Sequence, residues 1–351
     1  MTEKKLWKGN NALVEGAIAG GIDAYFGYPI TPQNEITEYM SLRMREESRI
    51  FLQSESEPAS ISMVFGAALT GKKTMTSSSS PGISLMQEGI SYIAGCELPA
   101  VIVNVQRGGP GLGNISGAQS DYIQATKGGG HGDYRLLVLT PATVQEMYEM
   151  TRDSFNLALK YRNPVMILTD GVLGQVLEPA AIEPIKQKKS PETKDLGWNL
   201  TGCRNRDPRF IRSLLMTEGA LEQHNYKIWK KYEDMQKEVD WEEENTDKAE
   251  VILVGYGTSA RINHDAYRKA REKGWNVGYF RLKTAYPFPV KRLKELAATS
   301  KFLVVEMSMG QMVEDVKLAV EGKTEVQFYG RPAGGMPEID EILKKTEDLL
   351  S

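Results

Sequence analysis

Three short apolar runs constrain this chain more than any other feature: AVIVNV at 100–105, RLLVLT at 135–140 and PVMILTD at 164–170. They are rich in Val, Ile and Leu, and helix-like segments separate them. Strands that are apolar on both faces and joined through helices belong in a buried parallel sheet. The helical candidates are 11–21, 33–46, 57–70, 83–95 and 142–160. This alternation predicts an α/β fold, with a three-layer domain over 1–185.

Downstream the character changes. EPAAIEPIKQKKSPETKD reads as an exposed connection, and 217–239 carries Leu221, Ile228, Tyr232, Met235 and Val239 on one helical face. The plainer reading lays that helix on its own domain; a partner contact is the alternative. After the acidic stretch DWEEENTDKAE, the segments VILVGY, INHDAYRKAREKG, WNVGYFRL, VKRLKELAATS and KFLVVEM alternate strand and helix. We therefore divide the chain into 1–185, a connector with a long helix over 186–248, and a smaller α/β unit over 249–351.

Composition excludes several function classes. A net charge of −3 gives no bias toward nucleic acid or an anionic membrane. No apolar run reaches the roughly 18 residues of a membrane span. The opening MTEKKLWKGN lacks the apolar core of a secretion signal, so a cytoplasmic location is expected. Cys96 and Cys203 are the only cysteines and cannot supply the four thiolates of an iron–sulfur cluster. Cys96 lies in an apolar stretch and reads as a core residue. The three histidines have no metal-ligand spacing, and no metal site is expected on this chain.

Four segments carry groups suited to chemistry. In GYPITPQNE, 27–35, two prolines stiffen the backbone around Ile30 and Thr31. Thr31 is expected to cap a helix whose first turn holds Pro32, a corner suited to a polar or anionic ligand. In FLQSESEPAS, 51–60, Glu55 and Glu57 stand at a helix entrance, where a carboxylate is favourable in any protein. That helix should carry Ala59, Met63, Gly66 and Ala67 on a small apolar face. TSSSSPG, 76–82, turns into a helix through Ser80, Pro81 and Gly82, and caps the helix, binds phosphate or lines a pocket. VQRGGPG, 105–111, puts Arg107 at a strand's end before a glycine-rich loop, a place for a bidentate carboxylate contact or a surface arginine. A fifth segment, VGYGTSA, has Gly255 and Gly257 between strand and helix. It reads as tight strand-to-helix packing rather than a dinucleotide site, because no acidic residue ends the next strand.

GYPITP, QSESEPAS, VQRGGPG and the closing SMGQMVEDV together resemble the α subunit of 2-oxoacid:ferredoxin oxidoreductases. The resemblance covers almost the whole chain. It implies a thiamine-enzyme pyrimidine-binding domain followed by a smaller domain like the C-terminal domain of transketolase. It also implies that Glu57, nine residues before Gly66, hydrogen-bonds the aminopyrimidine N1′ of thiamine diphosphate. Tyr28, Pro29, Ile30, Ser80 and Gly82 would line the cofactor, Thr31 would meet the 2-oxo group and Arg107 the substrate carboxylate. The Gly-Asp-Gly…Asn motif that holds magnesium and diphosphate is missing. By resemblance it lies on a β subunit, which would share the thiamine site, with [4Fe–4S] clusters on partner subunits. Further γ and ferredoxin-like subunits, ferredoxin as electron acceptor and coenzyme A as acyl acceptor are implied too. The stretch 107–135 resembles the branched-chain 2-oxoisovalerate enzymes. The alternatives are a 2-oxoglutarate enzyme, a non-catalytic assembly module of the same fold, or an NAD-dependent dehydrogenase built on VGYGTSA.

Overall fold

The structure, a computed structural model, describes residues 4–182 and 194–351; most of the expected connection after Ile182 lies outside them. Two sheets organise the chain. The larger has seven strands, in the order Thr284–Tyr286, Leu137–Leu139, Pro164–Asp170, Ala100–Gln106, Thr74–Ser78, Ala24–Gly27 and Ile50–Gln53. Six are parallel, and Thr284–Tyr286 runs antiparallel at one edge. The three apolar runs all form strands of this sheet, and the 100–106 and 164–170 strands are buried along their whole length. All five helical candidates exist, as Gly9–Ala19, Asn34–Glu46, Glu57–Leu69, Ser80–Gly95 and Val144–Tyr161. Cys96 sits in their core.

The smaller sheet has the order Val326–Gly330, Lys301–Glu306, Val251–Tyr256, Val277–Leu282 and Trp241–Glu244. Its last strand is antiparallel and comes from the acidic stretch that looked like a bare boundary. An acidic strand is tolerable there because its carboxylates meet arginines. Glu242 pairs with Arg281, and Glu243 accepts from Arg292 at 3.0 Å. Arg281 also forks onto Glu146 of the first half at 2.7 Å through each terminal nitrogen.

The long helix, Ala220–Met235, buries Ile228, Tyr232 and Met235 against the first half. Its apolar face is thus covered only in the C-terminal part; Leu221 is exposed and Val239 lies past the helix end. Gly255 behaves as the packing reading requires. A Cβ there would meet the Ala260 backbone at 3.1 Å, so the helix Gly257–Glu272 is drawn tight onto its strand.

The two halves are joined through Gln119. Its side chain is fully buried, accepting from the Met307 amide at 3.0 Å and from the Ser259 hydroxyl, and donating to the Tyr256 carbonyl at 2.8 Å. Its main-chain amide donates to the Met307 carbonyl at 2.8 Å and its carbonyl accepts from the Tyr256 hydroxyl at 3.1 Å. A buried polar group left without its partner costs about 1–3 kcal/mol. Gln119→Leu orphans three such groups, so we expect a loss of about 2–4 kcal/mol in urea unfolding, where a surface Gln→Leu exchange shifts little.

Candidate functional site

The carboxyl ends of the central parallel strands, where ligands bind in open α/β sheets, gather the segments singled out above. Glu57 is the first residue of the helix Glu57–Leu69, with Pro58 beside it and the Ser56 hydroxyl accepting from the Ala59 amide at 3.3 Å. This capping fixes where the helix starts and turns Glu57 inward, 6% exposed, while Glu55, two residues earlier, faces solvent. Such a helix entrance is favourable for negative charge.

Gly82, in the first turn of the helix Ser80–Gly95, faces that carboxylate. A Cβ on Gly82 would stand 2.6 Å from Glu57 Oε1 and 2.1 Å from Ser78 Oγ. Two helix N-termini therefore converge on one carboxylate, and only glycine leaves room for it. Around them Thr76 Oγ1, Ser78 Oγ and Ser79 Oγ are buried without a partner. Ser79 stands at the cap position of its helix yet makes no capping bond. Unpartnered hydroxyls and an inward carboxylate form a polar recess suited to a heteroaromatic group bearing amine and ring nitrogen. The residues fit the pyrimidine end of thiamine diphosphate.

Ser80 links this recess to Arg107. Its hydroxyl lies 2.6 Å from Asp121 Oδ2 and accepts from the Arg107 amide at 3.0 Å. Asp121 also accepts from Asn104 Nδ2 at 2.9 Å, and burial raises its carboxyl above the usual range against the lowering effect of these two bonds. The Arg107 guanidinium donates to the Thr31 carbonyl at 2.9 Å and the Leu112 carbonyl at 3.0 Å, and its Nε is buried without a partner. A buried guanidinium met only by neutral carbonyls can accept a carboxylate.

The structure thus brings Arg107 to Thr31, and Gly82 to Glu57, with Ser80 between them. Thr31 is not the expected helix cap. The helix Asn34–Glu46 starts later, Gln33 holds the cap position without a side-chain bond, and Asn34 Nδ2 donates to Thr31 Oγ1 at 3.3 Å. Residues 30–33 form a turn instead, with the Gln33 amide donating to the Ile30 carbonyl at 3.0 Å, and the helix begins after it. Gln33, which the sequence did not single out, is the residue that holds this corner. It is fully buried, donates to the Tyr28 carbonyl at 3.0 Å and accepts from the Ser77 hydroxyl at 2.6 Å. Tyr28, Pro29 and Ile30 form the loop itself, with Pro29 exposed. Only its place directly after Pro32 in GYPITPQNE could have marked it. On the small apolar face of the Glu57–Leu69 helix, Met63 and Ala67 are half-buried and pack against the core, Ala59 is half-buried and Gly66 is exposed. Among the described residues no group of acidic, histidine and cysteine side chains could hold a metal.

The sequence matches the family described as pyruvate flavodoxin/ferredoxin oxidoreductase, thiamine diphosphate-binding, over residues 15–274, and pyruvate:ferredoxin oxidoreductase core domain II over 249–342. It is 46% identical over 344 residues to the ketoisovalerate oxidoreductase subunit VorB of Methanothermobacter thermautotrophicus, covering 97% of each chain. To the 2-oxoglutarate synthase subunit KorA of Methanothermobacter marburgensis it is 37% identical, covering 98% of this chain and 99% of that one. A solved 2-oxoglutarate:ferredoxin oxidoreductase from Magnetococcus marinus, with 2-oxoglutarate, coenzyme A and succinyl-CoA bound, superimposes with a TM-score of 0.87 at 27% identity. The alignment covers 100% of this chain and 66% of that one. A split-gene transketolase, at 12% identity and a TM-score of 0.58, shares the fold. The chain belongs to the 2-oxoacid:ferredoxin oxidoreductases, as one subunit of a thiamine diphosphate-dependent enzyme.

Gly82→Ala tests the recess directly. The added methyl overlaps Ser78 Oγ and Glu57 Oε1, and a shift of about 1 Å in a reacting group costs about 10²-fold. Assayed with its partner subunits, this variant should lose turnover on that scale while keeping its far-ultraviolet circular dichroism.

Proposed function

We propose that this chain carries the pyrimidine side of the thiamine site and the substrate-carboxylate clamp of a complex that oxidatively decarboxylates branched-chain 2-oxoacids. Products are an acyl-CoA, carbon dioxide and reduced ferredoxin. The observation that carries this reading is the inward Glu57 carboxylate against Gly82. When bound, thiamine diphosphate supplies the electron sink for loss of carbon dioxide. Glu57 holds a proton at the pyrimidine ring nitrogen N1′ and so sets the ring's protonation. Tyr28, Pro29, Ile30, Ser80 and Gly82 wall the cofactor. Arg107 orients the substrate through its carboxylate, and Thr31 offers a hydroxyl to the 2-oxo oxygen. A β subunit completes the site with the magnesium and diphosphate ligands, γ and ferredoxin-like subunits complete the complex, [4Fe–4S] clusters lie on partner subunits, and coenzyme A is the acyl acceptor. No helix among the described residues is long and apolar enough to cross a membrane.

The loop Gly108–Gln119, which contains no Lys or Arg, favours a branched substrate. A 2-oxoglutarate enzyme must pair a second carboxylate, which is expensive to bury alone. The nearest cations downstream are engaged elsewhere. Lys127 pairs with Asp315 at 2.5 Å, and Arg135 donates to the Tyr134 carbonyl and lies over the Trp229 ring. Leu112 and Ile115, 80% and 64% exposed, are free to meet a branched alkyl tail. The 46% identity to a ketoisovalerate oxidoreductase subunit, against 37% to a 2-oxoglutarate synthase subunit, supports the same choice.

Two measurements test this. Glu57→Gln should cut turnover of the assembled complex by at least ~10²-fold, because an amide cannot exchange a proton with N1′. Glu55→Gln should leave it near normal, and equal losses would refute the assignment. On the wild-type complex, kcat/KM should be higher for 2-oxoisovalerate than for 2-oxoglutarate. Branched acids should differ among themselves by only about 10–200-fold. A preference for 2-oxoglutarate would overturn the substrate reading and leave the family unchanged.

A further inference from the structure

Asp121 stands at the cap position of the helix Tyr122–Lys127, where aspartate is a favoured residue, yet its side chain makes no bond to that helix. It turns instead toward Ser80 at 2.6 Å and Asn104 at 2.9 Å. Helix capping therefore does not account for the carboxylate.

The Ser80 hydroxyl has one proton to give and lone pairs with which to accept. Three groups compete for it: the Asp121 carboxylate at 2.6 Å, the Arg107 carbonyl at 3.3 Å and the Arg107 amide at 3.0 Å. Of these only the amide is a donor. The short, charge-assisted contact claims the proton for Asp121. That leaves a lone pair fixed on the Arg107 N–H. Asp121 is itself held from both sides, since its main-chain amide donates to Gln106 Oε1 at 3.1 Å. Without the carboxylate, the hydroxyl can rotate its proton to the Arg107 carbonyl.

We propose that Asp121 is a positioning residue of the substrate site: it polarises Ser80 so that the Arg107 main chain, and with it the guanidinium between Thr31 and Leu112, is set for the 2-oxoacid carboxylate. The inference rests on the reading of Arg107 as the carboxylate clamp. It assigns to the AQSD segment a task in the site beyond that of Gln119 in joining the two halves.

The test is steady-state kinetics of the complete complex with 2-oxoisovalerate and coenzyme A, on Arg107→Ala, Ser80→Ala, Asp121→Ala and Asp121→Asn. Asp121→Ala should raise KM for 2-oxoisovalerate by about tenfold, the scale of one hydrogen bond to a charged group, and leave KM for coenzyme A unchanged. Asp121→Asn, whose amide oxygen still accepts from Ser80, should recover most of the loss. Ser80→Ala should match Asp121→Ala, and the double variant should be no worse than either, as expected of residues acting in series. Should Asp121→Ala fail to assemble, Ser80→Ala decides by the same KM. If Arg107→Ala raises KM while Asp121→Ala and Ser80→Ala do not, or if they lower only melting temperature, the inference is overturned and the Arg107 reading stands. An unchanged KM in Arg107→Ala overturns both.

Discussion

Everything at the site hangs from the short segment 117–123, because that segment is bonded to both halves of the chain at once. Gln119 is spent on Met307, Ser259 and Tyr256 of the second half. Two residues on, Asp121 is spent on Ser80 and Asn104 of the first. Tyr122 then returns to the second half through Asp315 at 2.7 Å. The glycine-rich loop before it, 108–116, is a strap closed at its base, where the Gly108 amide donates to the Ser116 carbonyl at 2.9 Å and Arg107 bridges to Gly117. The strap's outer side rests on the second half too, with Asn114 Nδ2 donating to the Ala333 carbonyl at 2.8 Å. A change in how the halves sit would therefore reach Arg107 within a few residues.

Much of this was legible in the residue order. The apolar runs at 100–105 and 164–170 became strands nearly to the residue, because a strand buried on both faces has no other solution for its backbone groups. Only the family resemblance, through its spacing to Gly66, set Glu57 apart from Glu55; in the structure the Glu57 carboxylate is buried against Gly82 and Glu55 faces solvent. Arg107 at a strand end was legible from the residue order, since the strand that carries it was.

What escaped the sequence is what long-range contacts decide. Thr31 has the type and position of a cap, but residues 30–33 close a turn and Gln33 takes the cap position instead. An acidic run such as WEEE reads as a linker until Arg281 and Arg292 are known to face it. Gln33 and Gln119 carry no motif of their own. Their amides matter only because burial leaves them several specific partners from distant parts of the chain, and no local pattern encodes those.

The strand Thr284–Tyr286 lies more than a hundred residues downstream of its neighbour Leu137–Leu139, yet it covers one of the first sheet's two sides, Ile50–Gln53 being the edge at the other. On a translating ribosome the six parallel strands emerge first. Their outermost member waits with unpaired main-chain groups until the late strand arrives. Exposed strand edges recruit other chains, and N-terminal units fold first during synthesis. At the Leu137–Leu139 edge a nascent chain of this design therefore passes through an interval of vulnerability to self-association, ended there by its own downstream sequence rather than by a partner.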